Sequence, residues 1–189
     1  MTEYERDLPV TAIAFPPEKV VNSLGETISN AGKKQLRIAE TEKYAHVTYF
    51  FNGGKERAFP GEDRLLIPSP TVSKFDEVPE MSSGEVTETV IRTVEEGQYD
   101  FILVNYANAD MVAHTGNEEA TIEALESIDR CLALLIPVVL KKGGSVMITS
   151  DHGNAEELKK ASTGEMDTEH STNPIPLWYM TPENHREKD

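Results

Sequence analysis

Two stretches of the chain each place an aspartate and a histidine just past an apolar run. "NYANADMVAHTG" (residues 105–116) carries Asp110 and His114, and "TSDHGN" (149–154) carries Asp151 and His152. Carboxylate oxygens and imidazole nitrogens are donors to divalent transition metals, and a set without thiolate suits zinc or manganese better than calcium or an iron–sulfur cluster. Asp110 and His114 are four apart, so a helix there puts both on one face, within reach of one ion. Asp151 and His152 are adjacent and diverge unless the chain turns, a turn that Gly153 would permit. Either pair alone reads as an ordinary surface pair. Together, and followed by His170 in the polar stretch "STGEMDTEHSTN", they read as a metal site. Five side chains exceed the three protein ligands and a water of an ordinary catalytic zinc. Two ions roughly 4 Å apart, the arrangement that clamps the attacking and leaving oxygens of a phosphoryl group, fit that count. His46 and His185 lack such a setting and read as structural or exposed.

The composition makes bound cations useful. Thirty-three acidic against eighteen basic residues give a formal net charge of −15 over 189 residues, which repels phosphate backbones and anionic lipid surfaces. Nucleic acid and membrane are therefore not expected partners. An anionic small substrate needs local positive charge, which divalent metal supplies. One cysteine, Cys131, excludes an internal disulfide and reads as helix packing in a reducing, cytoplasmic setting. The N-terminus has no basic start or apolar stretch of a secretory leader.

The elements that would position these residues alternate between helix and strand. "LPVTAIAFPP" (8–17) reads as an extended connector stopped by prolines, which sets residues 1–18 apart from a domain over 19–180 and a tail over 181–189. Within the domain a short helix closes near Gly32, and strands are expected at "QLRIAE", "HVTYFF" and "RLLIPSP". Val86, Val90, Ile91 and Val94 give a helix from Ser82 to Gly97. "DFILVNY" and "SVMITS" have the continuous apolar character of strands covered on both faces. Between them a long helix carries Ile122, Leu125, Ile128, Leu132 and Leu135 as its apolar stripe, with Pro137 near its end and Gly143 and Gly144 closing it. "PLWYM" reads as a last strand. The order predicts an α/β fold with a mainly parallel sheet and helices on both faces. Both Asp/His pairs then fall beyond the carboxyl ends of strands, where open α/β sheets bind ligands.

"AETEKYAHVTYFFNGG", "NYANADMVAHTG", "ITSDHGNAEEL" and "HSTNPIPL", in this order, resemble the cofactor-independent phosphoglycerate mutases of the alkaline phosphatase superfamily. The resemblance runs from about Val10 to Met180, and the first motif separates the mutases from the superfamily's phosphatases and sulfatases. It implies an alkaline-phosphatase-like fold and a two-manganese enzyme, with zinc or cobalt as substitutes and no organic cofactor. Such an enzyme moves phosphate between the 3- and 2-hydroxyls of glycerate, in glycolysis, through a phosphoserine.

Residue by residue, the resemblance implies that Asp110, His114 and His170 hold one metal while Asp151 and His152 hold the other. Lys43 matches the lysine that contacts the phosphoryl group; from the residues alone it reads as a surface partner of Glu40 or Glu42. The serine nucleophile, its companion aspartate, the arginine-rich substrate domain and a C-terminal helical segment of the family have no match here. Ser150 reads as a small residue at a strand end. The expectation is a fragment, incomplete as a fold and inactive alone, which self-associates, from a monomeric parent acting on phosphoglycerate. The competing readings are a metal-dependent phosphatase or phosphopentomutase of the same superfamily and a non-catalytic metal-binding module.

Overall fold

The computed structural model describes residues 20–159 and 169–184. The expected connector at 1–18 and His185 lie outside them. The chain begins with helix α1 (Leu24–Asn30), where the Ser23 hydroxyl accepts the Glu26 N–H as an N-cap. Strand β1 (Gln35–Glu40) follows and is the centre of a three-stranded parallel sheet ordered β2-β1-β3, with β2 at Glu62–Ile67 and β3 at Phe101–Asn105. Helix α2 (Ser83–Glu96) ends at Gly97, whose φ of 66° is the left-handed conformation that closes a helix.

Ile38 on β1 packs with Ile67, with Val86 and Val90 of α2, and with Leu135 of helix α4 (Glu118–Lys141), forming the main core on one face of the sheet. On the opposite face the Gln35 side chain donates to the Gly25 carbonyl of α1 at 2.9 Å, so helical segments cover both faces. The short helix α3 (Asn108–Ala113) leaves the carboxyl end of β3 and packs on α4 through Val112, Ala120 and Ala124. Strands β4 (Val146–Thr149) and β5 (Leu177–Met180) form a separate antiparallel pair, with Ile148 opposite Trp178.

The α/β architecture, the strand at 35–40 and the helix ending at Gly97 stand where the sequence puts them, and the strand expected at "RLLIPSP" begins two residues earlier, at Glu62, and ends before Pro68. Four expectations do not hold. "HVTYFF" is not a strand: after a 3-10 turn at Thr41–Lys43 the chain continues as a π-helical turn over His46–Phe50. There Val47 and Thr48 are both buried. "DFILVNY" forms β3 but is half-buried at all five strand positions, because among the described residues β3 pairs with β1 on one side only. "SVMITS" alternates between half-buried and exposed residues in the two-stranded β4–β5 sheet.

The stripe on α4 is also displaced. Ile122 and Leu125 are 52% and 45% exposed, while the buried face is Ala120, Thr121, Ala124, Ser127, Cys131, Leu135 and Leu140. Small residues form most of the face towards α2 and α3, Leu135 of the expected stripe is buried with them, and Ile122 and Leu125 face outward. Cys131 is buried on that face, as its packing role requires. In the expected tail, Thr181 and Asn184 exchange hydrogen bonds in a closing turn, and 185–189 lie outside the described residues.

Candidate metal centre

Asp110 is the hub. It sits in the first turn of α3, immediately beyond β3, so its position follows from where the central sheet delivers the chain. Its Oδ2 accepts the Lys43 ammonium at 2.5 Å, and its Oδ1 accepts the Asn154 side-chain amide at 2.7 Å. Burial pushes the Asp110 carboxyl up, but the hydrogen bonds from Lys43 and Asn154 and the charges of Lys43 and His114 outweigh it and hold it at about 2. Lys43 is only 3% exposed, so the surface pairing with Glu40 or Glu42 is overturned: the 3-10 turn after β1 aims it inward at Asp110.

Three imidazoles face the same carboxylate oxygen. From Asp110 Oδ1, His114 Nε2 lies at 3.2 Å, His170 Nε2 at 3.3 Å and His152 Nε2 at 3.9 Å. His114 reaches it by the helical spacing read from the sequence, one turn along from Asp110. The His114 and His170 Nε2 atoms are 3.3 Å apart, and the His152 and His170 rings stack at 3.6 Å. Asp110, His152 and His170 each offer a ligand atom, all within 4.8 Å of one another. Asp151 lies at the rim, 41% exposed, with its Oδ1 3.7 Å from His152 Nε2. All five expected side chains thus gather in one region.

Imidazole nitrogens and a carboxylate converging this closely form a donor set aimed at a common point, which a divalent cation satisfies together. The residues present fit such an ion.

The loop after β4 is held by a short antiparallel bridge between Gly153 and Ser171, which brings His170 beside His152. Gly153 is needed for space and not for an unusual backbone: it is absent from the positive-φ glycines, whereas a Cβ there would strike Ser171 Oγ and Glu156 Oε1. Three residues of this neighbourhood escape the motif reading. Asn154 stands inside the quoted "SDHGN", and an amide next to two ligand types was the signal. Glu156 looks like a surface acid. His46, expected elsewhere, borders the site: burial, then the Lys43 charge, lower its pKa, while Asp151 and Asp110 oppose the shift, and its Nδ1 is buried without a partner.

A parallel α/β sheet that delivers clustered carboxylate and imidazole donors beyond its strands defines a metal-binding catalytic class. The sequence profile of the Metalloenzyme superfamily matches residues 4–189, and the chain belongs to that superfamily. It is 52% identical over 181 residues to a 2,3-bisphosphoglycerate-independent phosphoglycerate mutase of Clostridium botulinum, covering 96% of this chain and 36% of that relative. A Synechococcus protein of the same name is 56% identical over 176 residues, covering 93% of this chain and 33% of its own length. A solved Leishmania mexicana phosphoglycerate mutase, at low cobalt concentration, superposes with a TM-score of 0.85 at 31% identity over 96% of this chain and 36% of its own. The chain therefore spans roughly a third of the length of the relatives it matches. Among the described residues no helix is long and apolar enough to cross a membrane.

Proposed function

We propose that this chain is the metal-holding part of a 2,3-bisphosphoglycerate-independent phosphoglycerate mutase, which interconverts 3- and 2-phosphoglycerate through a phosphoserine. The observation that carries the reading is the convergence of His114, His170 and His152 on Asp110 Oδ1, with Lys43 on the other oxygen. Asp110, His114 and His170 would hold one manganese, and Asp151 and His152 a second. Bound divalent cations neutralise phosphoryl charge and polarise its oxygens.

The chain's own residues prepare that site. Asp110 stays ionised at any working pH, since its carboxyl is held at about 2. Asn154 fixes which of its oxygens faces the imidazoles. Lys43 is proposed as the phosphoryl contact: a buried ammonium beside the donor cluster can bind an incoming anion. Ser150 is not the nucleophile, because its hydroxyl donates to the His152 carbonyl and no base activates it. The serine and the groups that grip the glycerate carboxylate belong, on this reading, to the part of the whole protein that this chain does not span. The whole protein is then a cytoplasmic glycolytic monomer.

Manganese calorimetry tests the ligand assignment. His170→Ala should weaken binding at least tenfold, and more than His152→Ala, since His170 touches both Asp110 and His114. Full manganese affinity after His170→Ala would overturn the assignment. The whole protein should convert 3- to 2-phosphoglycerate with manganese, while this chain alone should not; turnover by the chain alone would overturn its role as a part.

A further inference from the structure

Glu156 is exposed, yet its carboxylate is surrounded by donors from two loops. Oε2 accepts the Asn154 backbone N–H at 2.8 Å. Oε1 accepts the Ser171 hydroxyl and, at 3.1 Å, the Asn173 side-chain amide. Ser171 in turn accepts the Asn173 N–H at 3.3 Å, and its own N–H donates to the Gly153 carbonyl at 2.9 Å. The Ser171 hydroxyl, the largest cause, holds the Glu156 carboxyl at about 2 against the opposing effect of burial, helped by its own backbone N–H and the Asn173 and Asn154 donors.

The two loops are those that carry the donors. Residues 151–154 bring His152 and end in Asn154, whose side chain holds Asp110; residue 170 immediately precedes Ser171. His170 is 47% exposed with its ring stacked on His152 at 3.6 Å, so the hydrogen bonds of its loop share in fixing it. We propose that Glu156 is a positioning residue that fixes His170 against Asp110 and His152 by tying the Ser171–Asn173 loop to Asn154. Glu156 touches none of the donor atoms and acts through the loops. A carboxylate suits the role because it only accepts, and every neighbour it meets here donates. The proposal rests on the ligand reading given above.

The test uses manganese calorimetry on the protein, the absorption spectrum of its cobalt(II) form, and circular dichroism of the metal-free protein. Glu156→Ala should weaken manganese binding about tenfold, the usual effect of removing a group that orients a ligand. Glu156→Gln should fall between, since its amide oxygen can still accept Ser171 while its NH2 cannot accept Asn154. The cobalt spectrum should change in Glu156→Ala, and adding Glu156→Ala to His170→Ala should weaken binding no further. Ser171→Ala, a milder change, carries the same expectation in smaller measure and serves if Glu156→Ala fails to fold. Unchanged manganese affinity in Glu156→Ala or Ser171→Ala, with His170→Ala weakened, would overturn the clamp alone. Full additivity in the double variant would also overturn it, as a purely structural role predicts. Unchanged affinity in His170→Ala would instead overturn the ligand reading beneath it.

Discussion

Glu40 and Asp110 are two shielded carboxyls with opposite responses to pH. Glu40 ends the central strand wholly out of solvent, and neither of its oxygens has a partner in hydrogen-bonding geometry, although Ser69 and Ser82 lie close. Burial raises its pKa above the ordinary value, and those serines offset only part of the rise. The folded state then binds more protons than the unfolded one, so stability is lost as pH climbs from about 4.5 towards the raised value and stays lost above it. Asp110 runs the other way: its contribution is present above about pH 4 and is lost as pH falls through about 2. Glu40→Gln keeps the shape and removes the charge, so it should stabilise the protein at pH 8 and change little at pH 4. Urea unfolding at both values checks this, and an equal effect at both would mean Glu40 does not titrate as burial requires. Legibility at this scale followed chemistry. The aspartates and histidines were visible because few other roles explain two such pairs at strand ends. Asn154 and Glu156 were not, and Lys43 was visible only through its family motif, because their importance lies in which residue they touch across the fold.

Among the elements, the central strand is the least like its type. β1 is buried at all six positions although it reads "QLRIAE", with Gln35, Arg37 and Glu40 out of solvent. Arg37 donates to Gln35 Oε1 at 2.5 Å and lies 4.4 Å over the Phe51 ring, while burial drags its pKa down to about 10. This network reaches α1. A Cβ on Gly25 would lie 2.6 Å from Arg37 Nη2 and 2.8 Å from Asn52 Oδ1. Alanine favours a helix over glycine by about 1 kcal/mol, whereas forcing extra volume into a packed site costs about 1–3 kcal/mol. The clash should win, because Arg37 is enclosed and cannot swing away, and Gly25→Ala should destabilise the chain by about 1 kcal/mol. A variant that melts higher would mean Arg37 has room to move. The same network explains why "HVTYFF" misled: its β-branched and aromatic residues favour a strand, but the segment coils so that Asn52 can donate to Glu62 at 2.8 Å and Phe51 can meet Arg37. The α4 stripe misled at its start for a related reason, since small residues do the close packing there and Ile122 and Leu125 do not, while Leu135 lies on the buried side as expected. Strands β1 and β2 and helix α2 were legible because glycine and proline punctuate them and no distant contact overrides their local preference.

Across the whole molecule, charge and exposed apolar surface oppose each other. The formal charge of −15 favours keeping copies apart, while the β4–β5 pair presents Met147, Leu177 and Tyr179 to solvent on one face and Trp178 on the other. Exposed apolar surface of this kind ordinarily draws a partner, and the self-association expected from the sequence would use it. At low ionic strength repulsion acts over about 30 Å, and at physiological salt over only about 8 Å, so the balance should tip with salt. Trp178 is the single tryptophan and is 55% exposed on this sheet, which makes its fluorescence a reporter of the sheet face it stands on. In dilute, low-salt solution its emission should be that of a wet indole and neutral acrylamide should quench it efficiently. Iodide should quench less, because the protein's negative charge excludes it. Raising salt at low protein concentration should restore iodide quenching, and raising both salt and protein should shield Trp178 from acrylamide as copies associate. Shielding from acrylamide already present in dilute, low-salt solution, with light scattering of a single chain, would mean that the β4–β5 face is covered within the molecule and that the exposed sheet described for it is wrong.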